Sequence, residues 1–159
     1  MTTELPLLTA CTLLNASRQE IWEAWTTSQG IKSFLAPDCN IVFQVGGAYE
    51  IYFDPQATPK DRGSIGSIIL AIQPMEMFSF SWCNPPSIPK IRRQYTHVSS
   101  RIREVSSRQR QVILLQDGWG NSADWEKAYG YFKHAWQVVV MPRLVKRFES
   151  GPINWDEIN

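Results

Sequence analysis

Between residues 40 and 117 apolar side chains tend to recur at every second position, and from Ser122 to about Glu149 they recur every three or four. The first period belongs to strands and the second to a helix. Few architectures accept both. Strands joined by short loops pair antiparallel, and a sheet with one apolar face needs a cover. The final helix is the only segment long enough to supply it. The expected fold class is α+β: a curved antiparallel sheet of about seven strands around a long C-terminal helix. Residues 1–159 then form a single domain, since no linker, repeat or low-complexity stretch divides them.

Local signals place the elements. Leu7–Leu14 reads as a first strand. Ser17 followed by Glu20 is a capping box for SRQEIWEAW, with Ile21, Trp22 and Trp25 on one face. Gly30 is expected to interrupt, and IKSFL to form a second short helix. Gly46-Gly47 between NIVFQV and AYEIYF reads as a tight hairpin. Further strands are expected at GSIGSIILAI, EMFSFSWC, QYTHVSSRIRE and RQVILLQD. The loop NPPSIPK is too rich in proline for a central strand. Ser122 is a plausible N-cap for the long helix, and Gly151-Pro152 ends it. Pro142 lies inside that helix and should kink it, because it lacks an N–H and its ring collides with the preceding turn.

Composition excludes several classes. The chain is 43% hydrophobic and 19% charged, with a net charge of +1. This balance gives no reason to expect nucleic acid as a partner. The apolar runs are too short to span a bilayer, and the N-terminus lacks the pattern of a signal peptide. Cys11, Cys39 and Cys83 are odd in number and form no CxxC pair, so reduced thiols and a cytoplasmic location are expected.

The helix carries Trp125, Tyr129, Phe132, Trp136 and Val139 in one stripe. Phe43, Tyr49, Ile51, Phe53, Phe80 and Trp82 are expected to face it from the sheet. Two readings fit. The rings fill a solid core, or they wall a cavity. Tryptophan and tyrosine carry polar tips that need partners when buried, which suits an apolar pocket with a few oriented hydrogen bonds.

NASRQEIWEAWTT, VGGAYEIYF, FSFSWCNPP, QDGWGNSADWEKAYGYFKHAW and GPINW together resemble the START-like (SRPBCC) superfamily, in the branch of the activator of heat-shock-protein-90 ATPase. The resemblance covers nearly the whole chain. It implies a helix-grip fold, with a ligand cavity between sheet and helix in many members. It also implies two alternatives, a chaperone-regulating module and a polyketide cyclase-like enzyme.

Catalytic chemistry has little to stand on in the residues. His97 sits on a strand and is expected to point outward. His134 is offset from the aromatic stripe, and there is no G-x-S-x-G. No cluster of Cys, His and acidic residues has metal-ligand spacing, so neither a catalytic set, a metal nor a cofactor is expected. The function expected first is binding of a hydrophobic, lipid-like or aromatic small molecule. The residues expected to contact it are Trp22, Phe53, Phe80, Trp82, Trp119, Tyr129, Phe132 and Trp136, with loops near NPPSIPK and GWGNS as gates. Gln116 and Asp117 are candidates to orient it, but both faces of RQVILLQD are apolar and phase does not say which points in. Lys90, Arg92, Arg93, Arg101, Arg103, Arg108 and Arg110 form a basic row. Arg101 and Arg103 are the chaperone-docking candidates. A single domain supplies no second docking domain, which weighs against the full activator role.

Overall fold

The computed structural model describes residues 4–158. Met1 and Asn159, the expected domain bounds, lie outside the described residues. Seven strands are present among those described: β1 Leu8–Leu14, β2 Asp38–Ile41, β3 Tyr49–Tyr52, β4 Ile69–Gln73, β5 Met77–Trp82, β6 Thr96–Glu104 and β7 Arg110–Asp117. All pairings are antiparallel. Five strands form one sheet in the order β1-β7-β6-β5-β4, and β2 pairs with β3 in a second.

The glycine pair joins the two sheets. Ile41 is paired with Tyr49, so the β2–β3 connection is longer than the tight turn expected. Gly46 N–H donates to Ile69 O at 2.8 Å, and Ile69 N–H donates to Gly47 O at 2.9 Å. Gly46 sits at φ +83°, a conformation that glycine reaches without strain. The pair therefore serves as a joint to β4, because Gly46 N–H and Gly47 O are used across the sheet gap, while Gly47 N–H donates to Gln44 O within the connection.

Helix α1, Arg18–Thr26, starts at the capping box: Glu20 N–H donates to Ser17 Oγ and Ser17 N–H to Glu20 Oε1, both at 3.1 Å. The Ser17 N–H, and then the Ser17 hydroxyl, bonded to the Glu20 carboxylate hold it below its ordinary range. Helix α2, Ser28–Phe34, is capped by Thr27, whose hydroxyl accepts from Gly30 N–H at 2.9 Å. Gly30 lies inside α2 and does not break it. A β-carbon there would collide with the backbone of Glu23 and Ala24, so the glycine permits α1 and α2 to touch.

The long helix runs as α3, Ala123–His134, a π-helical segment, Ala135–Val140, and α4, Met141–Ser150. Met141 N–H bonds to Trp136 O, five residues back. In a regular α-turn the Pro142 ring would strike the Val138 carbonyl. The wider π-turn just before the proline relieves that conflict. It also changes the phase of the helix. The buried residues are Trp125, Ala128, Phe132, Trp136, Val140, Met141 and Leu144. Val140 takes the inward place that a uniform α-helical period assigns to Val139.

The centre of the core is Phe78. Its ring lies 5.3 Å from Tyr49, 5.4 Å from Phe80, 5.5 Å from Phe43 and 5.9 Å from Trp22. Trp25 and Phe34 close this cluster from the two short helices, 5.0 Å apart.

Candidate functional site

An open apolar groove of about 430 Å³ runs beside the π-segment. Its sheet wall is Phe53, just after β3, and Trp82, the last residue of β5. Its helix wall is Phe132, Ala135, Trp136, Val139 and Val140. Trp82 and Trp136 form the floor, with ring centroids 5.8 Å apart, and Phe53 meets Trp82 edge-on at 6.3 Å. Only Tyr131, His134 and Arg143 bring polar groups to the lining. The Arg143 guanidinium lies 5.2 Å from the Trp155 ring, and burial pushes its pKa down. The π-turn builds the groove as much as the strands do, because it turns Val140 inward and leaves Val139 on the groove wall.

A chain of hydrogen bonds behind the floor ties the Trp136 indole to the Trp82 backbone. Trp136 Nε1–H donates to Gln116 Oε1 at 2.8 Å, Gln116 Nε2 to Thr96 Oγ1 at 2.9 Å, and Thr96 Oγ1 to the Trp82 carbonyl at 3.1 Å. The chain settles the phase of β7. Gln116 points in and is fully buried, while Asp117 points out and faces His97 at 3.0 Å.

A narrow recess of about 40 Å³ shares Phe53, Trp82, Tyr131 and Phe132 with the groove. Its far end is Ser64, Cys83, Asn84, Pro85 and Arg92. Arg92 staples the surrounding loops. Its Nη1 donates to Cys83 Sγ at 2.9 Å and to the Asn84 carbonyl, and its Nη2 to the carbonyls of Lys60 and Gly63 at 2.7 and 2.6 Å. Burial pushes the Cys83 thiol up, and the Arg92 charge opposes that shift. A separate polar depression of about 420 Å³ lies between α1, α2 and α4. Its walls mix Glu20 and Glu23 with Lys32 and Arg147, and Glu20 is already engaged in the helix cap.

Among the described residues no three His, Cys, Asp or Glu side chains come together as a metal site, and no helix is long and apolar enough to cross a membrane.

The family described as "Activator of Hsp90 ATPase homolog 1-like protein" matches residues 15–149. The chain belongs to this family. Solved structures agree on the fold. Protein MLL2253 from Mesorhizobium loti is 18% identical, with a TM-score of 0.67 over 97% of this chain and 99% of that one. The Aha1 dimer from Colwellia psychrerythraea is 18% identical, with a TM-score of 0.68 over 92% and 98%. PFC0360w, an HSP90 activator from Plasmodium falciparum, is 13% identical, with a TM-score of 0.66 over 92% and 97%. At these identities the likeness is one of fold. Curated proteins give no significant match.

The eight residues expected at a ligand site divide four ways within this family fold. Phe53, Trp82, Phe132 and Trp136 meet at the groove. Phe80 is buried behind it, between Tyr49 and Trp82. Trp119 and Tyr129 pack together at 5.0 Å behind Phe132, with Trp125 beside them. Trp22 lies elsewhere, against Phe43 and Phe78. Of the expected gates, NPPSIPK begins at the recess with Asn84 and Pro85, whereas GWGNS sits by Trp125, where a β-carbon on Gly120 would collide with the indole. Sequence reasoning places Val139 in the stripe but misses Tyr131, His134, Ala135, Val140 and Arg143 as lining. The usable signal was Pro142, whose conflict with the preceding turn rephases the helix.

The basic row is also divided. Arg92 is the staple just described. Arg110 donates to Ala16 O at 3.2 Å and approaches Glu104 at 3.7 Å. Arg101 and Arg103 stand exposed on the outer face of β6 and make no ion pair among the described residues.

Proposed function

We propose that the protein binds an apolar, ring-bearing small molecule in the groove beside the π-segment. The observation that carries this reading is the groove itself. At about 430 Å³ it falls in the size range of ligand pockets, and its lining is aromatic and aliphatic with few polar groups. The Trp136 indole needs nothing from a ligand, because Gln116 Oε1 already accepts its N–H. Affinity then comes from apolar burial.

Val139→Trp tests the reading. Val139 is only partly buried, so a larger ring fills the groove from its wall without entering the core. N-phenyl-1-naphthylamine fluorescence is expected to rise with the wild-type protein. The variant should bind the dye at least tenfold more weakly, about 1.4 kcal/mol, while its thermal midpoint stays close to that of the wild type. Equal binding by both proteins would place the dye elsewhere and sink the proposal. Native mass spectrometry of protein purified gently from its host complements this, since a mass released on denaturation identifies the compound class.

A second reading, a chaperone-interacting module, is favoured by the family and by exposed Arg101 and Arg103, which suit an acidic partner surface. Immobilised Hsp90 should retain the wild-type chain at low salt and lose it with Arg101→Glu/Arg103→Glu. Retention of neither protein, or equal retention of both, removes this docking surface.

A further inference from the structure

Asn84 lines the recess beside the groove, and its side-chain oxygen has nothing to accept. Asn84 is 0% exposed. Its Nδ2 donates to Ile91 O at 2.9 Å and to Gln94 O at 2.7 Å. Two carbonyl acceptors can be served only by the amide NH2, which fixes the orientation of the side chain. The other end, Oδ1, is buried, and no donor among the described residues reaches it. A buried amide oxygen without a hydrogen bond costs free energy.

We infer that the groove's ligand ends in a neutral hydrogen-bond donor, a hydroxyl in the first instance, which enters the recess and bonds Asn84 Oδ1. This rests on the groove being a ligand pocket. Three features choose the head group. The recess is small, about 40 Å³, and one water needs only about 10–15 Å³ of such space, so the head is a group of a few atoms. Arg92 lines the same recess and has no carboxylate in ion-pair contact among the described residues, so it repels an ammonium head. A carboxylate head lacks the proton that Asn84 Oδ1 needs. The body of the ligand is set by the boundary the two compartments share, formed by Phe53, Trp82, Tyr131 and Phe132. A flat ring reaches from the Trp82–Trp136 floor past these side chains to Asn84.

The test varies the ligand, because replacing Asn84 also removes its bonds to Ile91 and Gln94. Calorimetric titration of the wild-type protein would compare 2-naphthol, 2-methoxynaphthalene and naphthalene. An apolar pocket without an acceptor prefers the two less polar compounds, since a hydroxyl buried without a partner loses its water. With Asn84 as acceptor, 2-naphthol is expected to bind about tenfold more tightly than 2-methoxynaphthalene. The Asn84 side-chain NH2 resonances should shift with 2-naphthol and hold still with the ether. Binding of all three without preference for 2-naphthol overturns the head-group assignment and leaves the groove standing. No binding by any of the three overturns both.

Discussion

Trp25→Ala is expected to remove about 3–5 kcal/mol of stability, the usual cost of emptying a large aromatic site. Domains of this kind rest on about 5–15 kcal/mol in total, so the variant should be largely unfolded by mild denaturant. Trp25 is 1% exposed and packs against Phe34 at 5.0 Å and Phe78 at 6.5 Å. Its carbonyl also receives the Tyr49 hydroxyl at 2.7 Å, a bond that survives any change of the Trp25 side chain. Trp25→Phe should cost less than half as much. It keeps a ring in the site and deletes an indole N–H that finds no acceptor among the described residues. Urea unfolding followed by far-ultraviolet circular dichroism reads both variants. An alanine variant within about 1 kcal/mol of wild type would show that this end of the core collapses onto the gap.

The second large effect is at the groove floor. Gln116→Leu keeps the side chain's bulk and strands the Trp136 N–H in a site that is 2% exposed. A buried donor left without its acceptor costs about 1–3 kcal/mol, and Thr96 Oγ1 loses a donor as well. The pair can be separated from the background. Gln116→Leu/Trp136→Phe removes both ends of the bond, so its loss should fall short of the sum of the single losses by 0.5 kcal/mol or more. Strict additivity in that cycle would mean that the Trp136–Gln116 bond contributes nothing to the folded state.

These two sites show why some of the site was legible and some was not. The capping box at Ser17 and Glu20 formed as its spacing predicts, and RQVILLQD became β7 residue for residue. Both are local signals. A hydrogen bond three residues long, or alternation along one strand, needs no knowledge of what packs above it. Gly30 and Gly46-Gly47 look in the sequence like a break and a tight turn, yet Gly30 is a point of close approach to α1 and the pair is hydrogen-bonded to β4. A glycine looks the same in the sequence whether it frees φ or vacates space for a distant backbone.

Gln116 and Asp117 make the same point for chemistry. With both faces of β7 apolar, alternation could not say which residue turned inward. The decision came from Thr96 on β6 and Trp136 on the helix, which supply a donor–acceptor chain only on the inner side.

The sequence by itself determined the strand-then-helix order, the antiparallel pairing, the aromatic character of the surface between sheet and helix, and the family to which the chain belongs. Each follows from side-chain period or from short motifs. Only the tertiary structure decided which rings are core and which line the groove. Phe78 and Phe80 are closed in on all sides, whereas Phe53 is exposed and the buried Trp82, Phe132 and Trp136 border the groove. The physical reason is the π-turn ahead of Pro142, which brings Val140 inward and leaves Val139 at the groove, a one-residue change of phase that no uniform helical period contains.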